Sequence, residues 1–194
     1  MFEHKSVPAD RVEVIKQELL CCMEREQGVR SKLHELLKTG VTPQVLKDHP
    51  VVNEMRTIDA SNEAYLIAIV AECGWPGAQR FGARAAHAAF LIVQHSDNVE
   101  LMSGALPFIE ADAQAKLING GQFALLFDRL NLQLHGKQRY GSQLIRAPDG
   151  SLSLEPLEDP HKVDEFRAKL RIAPLMEYLE RFKAQNGDRP IKIN

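Results

Sequence analysis

The sequence predicts a mainly α-helical protein carrying one small β-hairpin, and three observations predict it. Apolar residues recur at helical spacing through the first two-thirds of the chain. An alanine-rich segment without proline, Gln79 to Gln94, sits near its middle. After Gly136 the texture changes to short apolar runs around Asp149-Gly150, a hairpin signal.

The elements follow in order. Val12, Ile15, Leu19 and Met23 share a helical stripe, and Leu33, Leu36 and Leu37 continue it as a second segment after Gly28, ending at Gly40. Thr42-Pro43 reads as an N-cap followed by proline in the first helical position. A longer helix over Val52 to Cys73 carries Met55, Ile58, Tyr65, Leu66 and Ile69, and Gly74-Trp75-Pro76-Gly77 stops it. The helix from Gln79 to Gln94 presents small side chains that let a neighbour approach closely. Asp97 and Glu100 have capping-box spacing and open a helix towards Leu117. Asn119-Gly120-Gly121 ends that one, and Gln122 to His135 forms the next, with Phe123, Leu126, Phe127, Leu130 and Leu134 on its apolar face. Residues 140–157 form the hairpin. Asp159-Pro160 starts a short helix to Arg171, Pro174 starts another to Gln185, and the polar tail 186–194 is expected to fray. The expected organisation is one compact domain over 1–194, with N-terminal helices in 1–50.

Composition narrows the function classes. Twenty-four basic and 26 acidic residues give a net charge of −2, which lends no support to nucleic-acid binding. The longest clean apolar run, Ala64 to Ala71, is far short of the ~20 residues of a membrane span, so no membrane partner is expected. Cys21, Cys22 and Cys73 make a poor disulfide framework and read as reduced thiols. With no apolar stretch in Met1-Phe2-Glu3-His4-Lys5-Ser6, the expected location is cytoplasmic.

Two polar clusters stand out. Gln138-Arg139-Tyr140-Gly141-Ser142-Gln143 holds more hydrogen-bonding capacity than a turn needs, and Gln94-His95-Ser96-Asp97 closes an apolar helix. Together they predict a shared pocket lined by His95, Arg139, Tyr140 and Gln143. No phosphate-binding glycine loop and no zinc motif occurs. His87 and His95 lie about 12 Å apart along one helix and cannot chelate one metal. No metal and no cofactor is expected.

Landmarks recur along the chain: Gly74-Trp75-Pro76, Gln94-His95-Ser96-Asp97, Asp128-Arg129, Gln138 to Gln143, then Asp159-Pro160, Val163-Asp164 and Arg167. In this order they resemble a bacterial family of uncharacterised domains with GWP, QHxD, DR, QRYGTQ and DPxxVDxxR signatures. The resemblance covers about Asn53 to Leu179 (the family-like region 53–179). Ser142 replaces the family's threonine and keeps the hydroxyl, and Leu130 stands where the pattern has valine. The resemblance implies a shared domain and a shared polar site, with no reaction attached.

Each candidate has a plainer reading beside it. His95 suits proton transfer because its ordinary pKa is near neutral, but a histidine at a helix C-terminus is also stabilised by the helix dipole. Arg139 can grip a carboxylate or phosphate and Tyr140 can donate a directional hydrogen bond, yet both could tie the hairpin to the helices. Asp97 is read chiefly as a cap. Asp128 and Arg129 sit off the main apolar face, where a solvated surface is common, and Asp164 and Arg167 have the spacing of a local pair. Trp75 either walls a pocket or anchors packing.

Two classes of function follow. In the first, an enzyme acts on a small polar or anionic substrate by acid/base chemistry. His95 and Tyr140 are then catalytic, while Arg139, Gln143, Gln94, Trp75 and Asp128 bind substrate. The alternative is a non-catalytic module that senses a ligand or binds a protein, as an inhibitor does.

Overall fold

The computed structural model describes residues 2–41, 43–146, 151–185 and 191–193. It is mainly helical, as expected, and divides into two compact units, Met1–Phe108 and Ile109–Asn194. The expected Thr42 cap, the Asp149-Gly150 turn and most of the expected frayed tail lie outside the described residues. Among those described, no helix is long and apolar enough to cross a membrane.

In the first unit, α1 (Ala9–Lys38) packs against α3 (Pro50–Cys73) and α4 (Ala78–His95). The short α2 (Pro43–Lys47) lies between α1 and α3 in sequence. The two N-terminal segments are one helix, because Gly28 continues α1 at a cost of about 1 kcal/mol relative to alanine. Its buried stripe is Ile15, Leu19, Cys22, Glu26 and Val29, a run that includes an acid. α3 begins two residues earlier than expected, with His49 Nδ1 accepting from the Val51 N–H at 3.2 Å and Pro50 in the first turn. In α4, Ala85, Ala88 and Ala89 are buried, as the small-residue pattern predicts, and Gly82 interrupts the helical backbone with φ of +80°.

α5 (Val99–Gln114) carries the boundary between the units, with Pro107 inside it. Its start corrects the expected cap. Asn98, rather than Asp97, accepts from the Leu101 N–H at 3.0 Å, and Ser96 Oγ accepts from the Asn98 N–H.

In the second unit, α6 (Gly120–His135) starts where the Gly-Gly pair was expected to end the preceding helix. Asn119 caps it, its Oδ1 accepting from Gly121 N–H at 2.7 Å. A Cβ at Gly120 would lie 2.3 Å from the Leu170 carbonyl oxygen, so only glycine permits that approach. Strands β1 (Leu144–Arg146) and β2 (Leu152–Leu154) form the expected antiparallel pair, with Leu144 opposite Leu154. Of the tail, Ile191–Lys192 form β3, which pairs parallel to β2. α7 (Val163–Lys169) and α8 (Leu175–Gln185) complete the unit, whose core joins Leu154, Val163, Leu175 and Leu179.

The Asn98 cap is testable. Asn98→Ala should lose about 1 kcal/mol in urea unfolding, and Asn98→Ser should recover most of it, since serine caps comparably. Equal losses would assign the effect to the other contact of this side chain, Nδ2 donating to Glu63 Oε1 at 3.3 Å.

Candidate functional site

His95 and Gln94 belong to the first unit, and Asp128, Arg139, Tyr140 and Gln143 to the second, so each constellation is taken within its own unit. At the end of α4, Nδ1 of His95 lies 2.6 Å from Oε1 of Glu26, a residue only 1% exposed. Arg30 Nε reaches the same carboxylate oxygen at 3.0 Å, and its two terminal nitrogens hold Asp59 at 3.0 and 3.1 Å. Burial pushes the Glu26 carboxyl up, but His95 and Arg30 outweigh it and hold the group below the usual carboxylate range. Sequence reasoning missed Glu26. The signal was an acid standing in line with Leu19, Cys22 and Val29 on the buried stripe of α1. Gln94 Oε1 is buried without a hydrogen-bond partner among the described residues. Trp75 is a packing anchor: it is 7% exposed, its backbone N–H donates to the Phe2 carbonyl at 2.9 Å, and its ring stacks on Phe2.

The Gln138–Gln143 segment turns its polar groups inward. Asp128, expected on a solvated face, is fully buried on α6. Its carboxylate accepts from the backbone N–H groups of Arg139 at 2.7 Å, Tyr140 at 2.9 Å and Ser142 at 2.9 Å. Burial holds this carboxyl above the usual aspartate range, and those three donors offset only part of the rise. Gln138, also fully buried, donates to the carbonyls of Gln143 and Glu155 and accepts from Gln143 N–H. Gly141 has φ of +67°, and a Cβ there would strike Leu175 at 2.6 Å.

The residues expected to bind substrate are engaged in the same way. Arg139 donates to both carboxylate oxygens of Glu158 at 2.8 and 3.2 Å, and its guanidinium lies over the rings of Phe127 and Phe166. Tyr140 is 7% exposed and meets Phe123, Phe127 and Phe166 edge-on. Gln143 Nε2 donates to the Leu125 carbonyl at 3.1 Å. These contacts are those of a polar knot that joins the loop to α6.

An open pocket of about 340 Å³ lies beside that knot. Arg167, Arg171, Arg181, Asn119, Ser142 and Tyr178 supply its polar lining, and Leu125 and Ile172 are among its apolar walls. No aspartate or glutamate is among the described residues lining it. Arg167 is the unusual member. It is 2% exposed, and the expected local pair with Asp164 does not form, because Asp164 instead accepts from Leu175 N–H. Arg167 donates to two neutral acceptors, the Ala173 carbonyl from Nε at 2.6 Å and the Tyr140 carbonyl from Nη1 at 2.5 Å, leaving Nη2 without a hydrogen bond among the described residues. Its pKa is lowered by burial, yet an arginine of this kind stays charged. Its sequence signal was a cation one helical turn after the buried Val163. Among the described residues no group of three or more histidine, cysteine or acidic side chains could hold a metal ion.

The knot generates a prediction. Asp128→Asn replaces a charged acceptor with an amide whose N–H₂ must face backbone donors. It should cost about 3 kcal/mol in urea unfolding, because hydrogen bonds to charged groups contribute more than neutral ones. A loss under about 1 kcal/mol would show that the loop keeps its shape without the charge.

No curated protein and no solved structure matches this chain. A family model does, over residues 13–189, nearly the whole length. The chain belongs to the family of unknown function DUF6624.

Proposed function

We propose that this protein binds a small anionic molecule in the pocket of its second unit. The observation that carries the reading is Arg167, a buried cation that lines the pocket and has no carboxylate partner among the described residues. Asp164 and Asp128 act on Arg167 only through space and its guanidinium lies over the Tyr178 ring, so no carboxylate bonds it directly, and an anion in the pocket would supply that direct partner. The volume lies at the low end of small-molecule sites, which fits a metabolite-sized ligand. The anion-binding role expected of Arg139 thus passes to a different arginine.

Binding should appear as stabilisation by mass action. Inorganic phosphate or succinate, titrated in low salt, should raise the melting temperature, with about 2.7 kcal/mol of stabilisation at a hundredfold excess over Kd. Ile172→Trp would place a large ring in the pocket while leaving the Arg167 contacts in place, and should abolish the shift. Absence of any shift in the wild-type protein with either anion would overturn the reading.

A second reading, proton transfer at His95, is favoured by the Glu26 contact. Nδ1 faces the Glu26 carboxylate at 2.6 Å, which leaves Nε2 as the nitrogen that would meet a substrate. This arrangement has a pH signature. The folded-state pKa of Glu26 is depressed below its ordinary 4.5, so its stabilising contribution is complete above about pH 4.5 and is lost as the pH falls through the depressed value. Melting temperatures between pH 3 and 7 should therefore fall on the acid side, and Glu26→Gln should start lower and decline less steeply. A variant profile parallel to the wild type would remove the ion pair, and with it the orientation of His95.

A further inference from the structure

Of the three arginines in the pocket lining, Arg181 is paired with Glu177 one turn away on α8. Arg167 and Arg171 have no carboxylate partner among the described residues, which leaves two positive charges facing one pocket. Arg171 is exposed, so its charge is screened more than that of Arg167.

The backbone at Arg171 is the second observation. It occupies the first position beyond Leu170, the C-cap of α7, with φ of +56°. Its N–H donates to the Ala168 carbonyl at 2.9 Å, and the next N–H, from Ile172, donates to the Arg167 carbonyl at 3.2 Å. That pair of bonds is a Schellman cap, whose left-handed residue is usually glycine because a Cβ is strained there. Here the strained position carries an arginine, and that arginine lines the pocket. Lys116 has the same conformation at the end of α5, with φ of +60°, but is not part of the pocket lining. A left-handed cation at a helix end is thus insufficient by itself. Its place in the pocket distinguishes Arg171.

We propose that the pocket is built for a small dianion, either a dicarboxylate or a phosphate group. Arg167 holds the ligand from the buried wall, and Arg171 supplies the second charge. This rests on the reading that the pocket binds a small anion. In these terms Arg171 is a specificity-determining residue, kept in a conformation that glycine would adopt more readily because its side chain meets the ligand.

Calorimetric titration in low salt can separate the possibilities with succinate, succinamate (its monoanionic amide of similar size) and inorganic phosphate. The wild-type protein should bind succinate or phosphate about tenfold or more tightly than succinamate, the scale of one charge-assisted contact. Whichever dianion is preferred names the ligand group. In Arg171→Gly the preference should shrink to about threefold or less, with succinamate affinity little changed. The melting temperature of that variant without ligand should equal or exceed the wild type, since glycine relieves the left-handed strain. Lys116→Gly, the control, should relieve the same strain and leave all three affinities unchanged. Equal wild-type binding of succinate and succinamate would keep the anion pocket and overturn the dianion. A less stable Arg171→Gly with wild-type preference would make Arg171 a partner of the helix dipole alone, overturning its proposed role. If none of the three anions binds, the parent reading fails as well.

Discussion

A buried carboxylate must find donors, and Asp128 finds three in the backbone N–H groups of Arg139, Tyr140 and Ser142. The cost of removing this charge from water is offset only while the loop keeps the path that aims those groups inward. Gly141 permits the path through its positive φ and its close approach to Leu175, and Gln138 holds the loop to the Glu155 carbonyl. Arg167 then adds a donor to the Tyr140 carbonyl from α7. Much of the second unit is therefore arranged around one ion and the backbone that solvates it.

That arrangement reassigns the polar residues. Arg139, Tyr140 and Gln143 have the chemistry of a ligand site, but their capacity goes to Glu158, an aromatic cluster and a helix carbonyl. Arg167 has the spacing of an ordinary intrahelical pair, yet Asp164 caps the next helix and leaves it with neutral acceptors. Glu158 and Glu177 go to Arg139 and Arg181, and Asp164 goes to the start of α8, so none of the three bonds Arg167 directly.

The first unit handles buried charge differently. Glu26 lies on the core stripe of α1 and keeps its ionised form through His95 and Arg30, with Asp59 taking the other donors of Arg30. Breaking such a network is strongly destabilising because each member would be left as an uncompensated charge. The same compensation sets which nitrogen of His95 faces the protein, with Nδ1 turned to Glu26.

The helical class, the alanine-lined face of α4 and the approximate hairpin were legible in the sequence because each is a local periodicity or turn preference. The sequence also marked Gln138–Gln143 as unusual, since so many donors and acceptors around one glycine exceed what a turn uses. Tertiary structure alone decided what those groups do. Asp128 meets residues 11 to 14 positions away, Arg167 meets one 27 positions away, and Glu26 meets a histidine on another helix. Hydrogen bonding and charge pairing depend on distances of a few ångströms, and spacing along a chain sets such distances only within a single helix or strand. A polar residue's type states what it can bond. Only the fold states which of its bonds are already made.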